Sequence, residues 1–465
     1  MPTLKLGNDA LLTLPTRITT PSIHIQKDGD HWYVPLFSGS KGAVVQSGDY
    51  NYTLGGLNVG IYRAAIGREE VVVIIDVFSN DSTTWILTSN GELYGCGSNS
   101  NGQQGSGNTN DVLTFTKRAE NVKEVSCSDN TTWYIDTSNN LYGCGSNYYG
   151  QQGSGNTNDV LTFTKRAENV KEVSCSDNTT WYIDTSNNLY GCGYGYNGQQ
   201  GSGASGYSAA VKTFTKRASN VKTVSCTGST TWYIDNNNNL YGCGNNEYGN
   251  QGSNNTSNVS VFTKRASNVK EFACSANTTW YVDNNGNLYG CGYGFEGQQG
   301  SGASGSSANV LTFTKRASNV KTVSCSQFTT WYIDNNNDLY GCGDNDSGQQ
   351  GSGNASRVRT FTKRASNVKE VICPSSVTWY IDTSNNLYGC GNNYNGNQGS
   401  GNTSYVYTFT KRAENVKTVS CSGSVTWYID NNNDLYGCGK NSTGNQGSGD
   451  TSNVLTFTKR DYKTK

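Results

Sequence analysis

The residues best equipped for chemistry in this 465-residue chain are fifteen cysteines. Eight stand in a recurring Leu-Tyr-Gly-Cys-Gly run, as Cys144 does, and seven close a Val-Lys-x-Val-Ser-Cys segment or its variants, as Cys127 does. Sixteen residues separate Cys127 from Cys144, with no Cys-x-x-Cys pair and no histidine nearby, so neither zinc binding nor a redox pair is supported. If one strand lies between the two, they are two strand spacings apart, roughly 9–10 Å. That exceeds the roughly 7 Å over which Cα positions can be bridged. The thiols are therefore expected to stay free and to pack as small buried groups.

The other candidates thin out quickly. The two histidines, His24 and His31, flank a Lys27-Asp28-Gly29-Asp30 turn signal with no cysteine or carboxylate cluster beside them, which argues against a metal site. No Gly-x-Ser-x-Gly elbow and no phosphate loop ending in Gly-Lys-Ser/Thr is present. Paired carboxylates could serve a glycosidase, but Glu247, Glu296, Asp344 and Asp346 are scattered among unlike segments. Catalysis is not expected, and neither is a cofactor. Lys-Arg pairs such as Lys117-Arg118 and Lys165-Arg166 recur along the chain, as do aspartates at Asp136, Asp184, Asp235, Asp283, Asp334, Asp382 and Asp430. If both lie on one rim they should pair with each other or with backbone carbonyls, leaving a neutralised rim that adds little stability.

What positions these groups is a repeat. Trp85, Trp133, Trp181, Trp232, Trp280, Trp331, Trp379 and Trp427 mark eight copies, spaced 48 or 51 residues apart, each followed by Leu-Tyr-Gly-Cys-Gly. Within the copy around Trp133, four strands are expected: Val122–Cys127, Thr132–Asp136, Leu141–Cys144 and Thr162–Lys165. Each is rich in β-branched or aromatic residues and is bounded by Asn, Asp, Ser and Gly. Four strands in such a unit make a propeller blade, and one blade cannot bury both its faces, so the copies must stack and close. The expected fold is all-β: an eight-bladed β-propeller over residues 71–460, after a small β-rich N-terminal region (1–70) and before a short tail (461–465). Closure between whole blades, or by the last strand joining the first sheet, both give eight blades. Seven blades closing with the divergent first unit outside is the remaining alternative.

Balanced charge, 35 basic and 35 acidic side chains, argues against nucleic-acid binding and a polybasic membrane anchor. No apolar run is long enough to span a bilayer, and the N-terminus lacks a signal-peptide core. The chain is expected to fold in a cytoplasm.

The run Leu-Tyr-Gly-Cys-Gly-x-Asn-x-x-Gly-Gln-Gln-Gly, followed by a variable loop and then Val-Lys-x-Val-Ser-Cys, resembles the repeat of the regulator of chromosome condensation family. That family usually has a tryptophan at the position of Cys144, and Gly-Gln-Leu-Gly at Gly150 to Gly153. The resemblance implies a β-propeller, usually of seven blades, so an eighth copy is a departure. Its founding member is a nucleotide exchange factor for a small GTPase, and relatives are scaffolds, light sensors and ubiquitin-ligase modules. No inserted wedge between repeats is present, and residues 102–145 and 150–193 are identical throughout, a uniformity unlike that of specialised relatives.

Comparing the copies separates a constant frame from three variable places: the turn after the first strand, the four residues after each Gly-Cys-Gly, and the segment after Gly-Gln-Gln-Gly. In an up-and-down blade all three emerge on one face, which is expected to be a recognition surface. Its candidate ligand-binding residues are Tyr148, Tyr149, Tyr194, Tyr196, Tyr207, Tyr248, Phe295, Phe328, Tyr394 and Tyr405, aromatic anchors among Asn, Asp, Ser and Gly. The expected function is non-enzymatic binding. A short N-terminal anchor before a repetitive, signal-less β domain also resembles bacteriophage tail-fibre proteins in organisation. That implies a virion adhesin in which residues 1–70 dock to virion or tail proteins while the propeller binds a host-surface glycan or protein, with homo-oligomerisation left open. The alternative is a cytoplasmic protein-interaction scaffold or GTPase regulator.

Overall fold

A computed structural model describes residues 72–462 together with six short N-terminal strands. The chain divides into two compact units, Met1–Val72 and Val73–Lys465. In the first, three two-stranded antiparallel pairs are described: Leu11–Leu12 with Ile23–His24, Gln26–Asp28 with His31–Tyr33, and Tyr52–Leu54 with Leu57–Val59. In the second pair Asp28 stands opposite His31. His24, expected in that pair, pairs instead with Leu11. The remainder of 1–71 lies outside the described residues.

The second unit holds eight four-stranded antiparallel sheets, each ordered first to fourth along the chain. The second blade comprises Val122–Cys127, Thr131–Asp136, Leu141–Gly145 and Val160–Ala167. The fourth strand extends two residues beyond expectation at each end, because Gly145 still pairs with Val160 across a bulge.

One cross-strand pair explains the constant frame. Trp133 sits opposite Gly143, and a Cβ on Gly143 would fall 2.4 Å from the indole. Only glycine lets the ring lie flat across the neighbouring strand, and the same pairing recurs in all eight blades. The indole then belongs to the next interface: Trp133, Ile135 and Leu141 pack against Val170, Val173 and Tyr182 of the following blade, with Phe214 edge-on to Trp133 at 5.9 Å. Period-two alternation thus gives each blade a Trp/Ile/Leu face and a Val/Tyr/Phe face, and each blade buries one face on each neighbour.

The ring closes between whole blades, and the divergent first unit is part of it. Ile74, Val77, Ile86, Tyr94 and Phe115 of the first blade form one core cluster with Val425, Trp427, Ile429 and Leu435 of the eighth. Trp427 Nε1 donates to Thr84 Oγ1 at 3.1 Å, and the Thr114–Ser448 bridge repeats the loop-to-strand bridge seen between other blades, as at Ser154–Thr213. The tail takes part. In seven blades a strand-two tyrosine stacks on the strand-three tyrosine, as Tyr134 does on Tyr142 at 4.8 Å. The first blade has Ile86 there, and Tyr462 supplies the missing ring, 5.1 Å from Tyr94.

All fifteen cysteines are free. Those of the third strand donate back across the interface, as Cys144 Sγ does to Gln103 O at 3.3 Å, and burial pushes their pKa values well up. Those of the first strand sit against the preceding blade, with Ser126 Oγ 3.2 Å from Cys175 Sγ. Among the described residues no group of His, Cys, Asp and Glu is placed to hold a metal ion, and no helix is long and apolar enough to cross a membrane.

Replacing Tyr462 by Ala should cost about 1 kcal/mol, the scale of an aromatic pair beyond its area. Hydrogen exchange should speed up in Ile74–Ser79 and Thr83–Thr88 ahead of the second to seventh blades. Equal acceleration in every blade would show that the tail has no special part in closure.

Candidate recognition face

The first-to-second turns and third-to-fourth loops share one face, held there by paired glutamines. The second Gln of each loop folds back onto its own third strand, Gln152 Nε2 donating to Cys144 O at 2.8 Å. In seven blades the first Gln or Asn reaches the next blade, Gln151 Nε2 donating to Asp177 O at 3.0 Å, whereas Gln349 Nε2 donates to Asp344 Oδ2 of its own loop. On the opposite face, Asp136 Oδ1 accepts from the backbone of Ser138 and Asn140, and Asn139 takes φ 63°, a conformation that asparagine tolerates. The strand-two aspartates are therefore turn caps and not partners of the lysines, because their oxygens are already bonded within the turn. The lysines pair elsewhere, Lys165 with Glu168 and Lys363 with Asp338, both at 2.6 Å.

Part of the variable segment proves structural. In six blades its second residue is an asparagine with no exposed surface, such as Asn147, whose Nδ2 donates to Ser154 Oγ and whose Oδ1 accepts from Gln152 N. The third and fifth blades have Gly195 and Gly294 there. A Cβ at either would fall 2.0 Å from the carbonyl oxygen of Ala209 or Ala308, in short 3₁₀ turns unique to these two blades. The three-residue insertion and the glycine are thus one change.

That change sets the aromatic residues. Flanking Gly195, Tyr194 and Tyr196 lie parallel, 6.1 Å apart and 7° from coplanar in tilt. Tyr149 leans on Tyr194 at 4.5 Å, Tyr148 on Tyr149 at 4.8 Å and Tyr207 on Tyr196 at 4.8 Å. Five of the expected residues thus form one row over the second and third blades, ending in Tyr148 and Tyr207, which are 72% and 88% exposed. Burial, and then the neighbouring tyrosines, raise the Tyr194 pKa.

A second group forms over the fourth to sixth blades. Tyr293 and Phe295 are parallel at 6.1 Å, Tyr248 meets Tyr293 at 4.7 Å and Phe328 meets it at 6.4 Å. Arg357 lies over Phe295, 5.6 Å from its centroid, with its Nε 2.5 Å from Glu296 Oε2 and Nη2 3.8 Å from Asp346 Oδ2. Burial raises the Glu296 pKa, while Arg357 opposes that rise and Asp344 and Asp346 add to it. Three of the four carboxylates read as scattered are thus gathered at one point, and Glu296 is held in an ion pair. Tyr394 and Tyr405 are exposed and make no ring contact among the described residues, so they join neither group.

Residues 74–103 and 122–151 match the family model for the regulator of chromosome condensation (RCC1) repeat. The first two blades thus carry matched RCC1-type repeats. Human WBSCR16 is similar in structure, with a TM-score of 0.58 at 16% identity, covering 71% of this chain and 96% of that one. A chain in the structure of Kap60 bound to yeast RCC1 (Prp20) gives 0.56 at 16%, covering 69% and 83%. Prp20p from Saccharomyces cerevisiae, a protein with binding properties to Gsp1p and histones, gives 0.55 at 16%, covering 75% and 93%. At that identity the likeness shows the fold alone. No curated protein sequence matches the chain.

On this propeller, Tyr293 and Arg357 were not among the expected site residues. Tyr293 had a signal, since Tyr293-Gly294-Phe295 repeats the pattern of Tyr194-Gly195-Tyr196. Arg357 had none, because it stands outside the aromatic pattern and meets Phe295 only across the blade interface.

Replacing Arg357 by Ala removes the charge that holds Glu296 down and leaves burial unopposed. An acid whose pKa is raised by folding favours the fold most below its ordinary value, and that contribution is lost as pH rises through the raised one. The variant should therefore lose more thermal stability relative to the parent at pH 8 than at pH 4. Equal losses at both pH values would show that the ion pair does not tune Glu296.

Proposed function

We propose that this protein is a non-enzymatic binding protein whose eight-bladed frame presents the loop face to a macromolecular partner. The observation that carries the reading is the row of five tyrosines from Tyr148 to Tyr207, partly exposed on loops that vary while the opposite turns stay constant. Large rigid rings lose little conformational entropy on contact, and the surrounding Asn and Ser side chains add directional hydrogen bonds, which is the composition of binding loops. The frame suits the task because each loop is tied to its own blade and, in seven of the eight, by the first Gln or Asn to the next.

In this reading residues 1–70 tether the propeller to a larger assembly, and the partner is a surface glycan or protein. A virus particle is the assembly favoured by sequence organisation, a placement for which the fold and the comparisons supply no support. The alternative, a protein-interaction scaffold or GTPase regulator, draws on the two matched RCC1-type repeats and on the binding properties of Prp20p to Gsp1p and histones.

The test is a labelled full-length chain applied to a panel of intact bacterial cells and to arrayed proteins. Replacing Tyr194, Tyr196 and Phe295 together by Ala should weaken whatever binding the parent shows by at least tenfold, with circular dichroism and melting unchanged. Full binding by the folded triple variant would remove the loop face from the proposed site.

A further inference from the structure

Between the third and fourth blades an open cavity of about 430 Å³ is lined by Asn197, Asn245, Glu247, Thr256 and Asn258. Its volume falls within the roughly 300–1,000 Å³ of small-ligand clefts. Asn197 follows Tyr196, a member of the tyrosine row, directly in the chain. Asn258 is fixed in place: its Oδ1 accepts from Asn246 N at 3.0 Å, and its Nδ2 donates to Asn197 Oδ1 at 3.3 Å.

The fifth and sixth blades carry the same construction, position for position. Both ring pairs are parallel at 6.1 Å, both glycines face a 3₁₀ turn, and both Gly198 and Gly297 bring the loop against the next blade's fourth strand. Asn197 corresponds to Glu296, Asn245 to Asp344, Glu247 to Asp346, Thr256 to Ala355 and Asn258 to Arg357. There the Arg357 side chain spans the position, ion-paired to Glu296 and lying over Phe295. One protein therefore contains the site twice, once open and uncharged apart from Glu247, and once filled by its own guanidinium.

We propose, building on the binding role argued above, that the cavity between the third and fourth blades binds a neutral pyranose of a glycan, and that the fifth-to-sixth site is the same site occupied by Arg357. The chemistry of the lining selects this class. Amide side chains and a threonine offer both donors and acceptors, as a ring of hydroxyls requires, and Glu247 adds an acceptor. The partly exposed Tyr196 ring is the counterpart of Phe295, the ring that Arg357 covers in the other copy, and offers an apolar surface to the C–H face of a sugar. An anionic ligand would meet Glu247 with no cation among the lining residues, and a protein anchor would need an apolar pocket that these residues do not form. Arg357 over Phe295 supplies the same two contacts from within the chain, a flat group on the ring and hydrogen bonds to polar side chains.

The test is affinity electrophoresis of the full chain through gels containing soluble mannan, dextran, galactan or glycol chitin. At least one polysaccharide should retard the parent. The double variant N197E/N258R transplants the ion pair that the fifth-to-sixth interface already accommodates, and it should weaken retardation at least tenfold. The reverse pair, E296N/R357N, empties the second site and should double the number of sugar sites per chain in calorimetry with the responding oligosaccharide. Retardation by none of the four, or retardation unchanged in N197E/N258R, overturns the sugar site. If cell or protein binding persists and still depends on Tyr194 and Tyr196, only the sugar assignment falls; if that dependence is also absent, the role of the face falls with it.

Discussion

Everything in this propeller depends on an indole laid across a glycine. Trp133 over Gly143, and its seven counterparts, turn a strand pair that would otherwise be ordinary into a blade with one bulky flat face. That face is completed only by the Val/Tyr/Phe face of the next blade, so no blade is stable alone and the series must close. Truncating such a buried ring costs on the order of 3–5 kcal/mol. Set against a domain stability of about 5–15 kcal/mol, a single interface then carries a large share of what holds the fold together.

The loop face follows from that constraint. Because the frame is fixed by residues within the interfaces, the third-to-fourth loops are free to differ, provided that each keeps the Gln tie to its own third strand. Where the insertion puts Ala209 or Ala308 against the chain, asparagine gives way to glycine, and the two flanking aromatic rings come into parallel. The parallel ring geometry is thus a by-product of a packing exchange, made twice with different results: one copy leaves a cavity, and in the other Arg357 lies over the ring.

Much of this could be read from the chain. The period, the four strands and the single variable face follow from the spacing of Trp, Tyr and Asn, because strand alternation and antiparallel order leave few alternatives. Free thiols were legible from strand geometry. The charges were not: Asp136 looked like a lysine partner, yet its oxygens are consumed by the turn it caps, a local competition that sequence spacing does not display. Closure was legible only as a set of alternatives, since Tyr462 matters solely because Ile86 lacks a ring beside Tyr94. Nor does any one-dimensional pattern bring Glu296, Asp346 and Arg357 together, because they meet across an interface between copies.

The most direct test of the account is hydrogen exchange of the full chain with and without a saturating ligand found by the binding screen. Protection should concentrate in residues 146–159, 194–210 and 245–258, all on the loop face, and leave the turns around Asn139, Asn187 and Asn238 unchanged. Protection of those turns, with the loops exchanging as before, would contradict the assignment of recognition to this face.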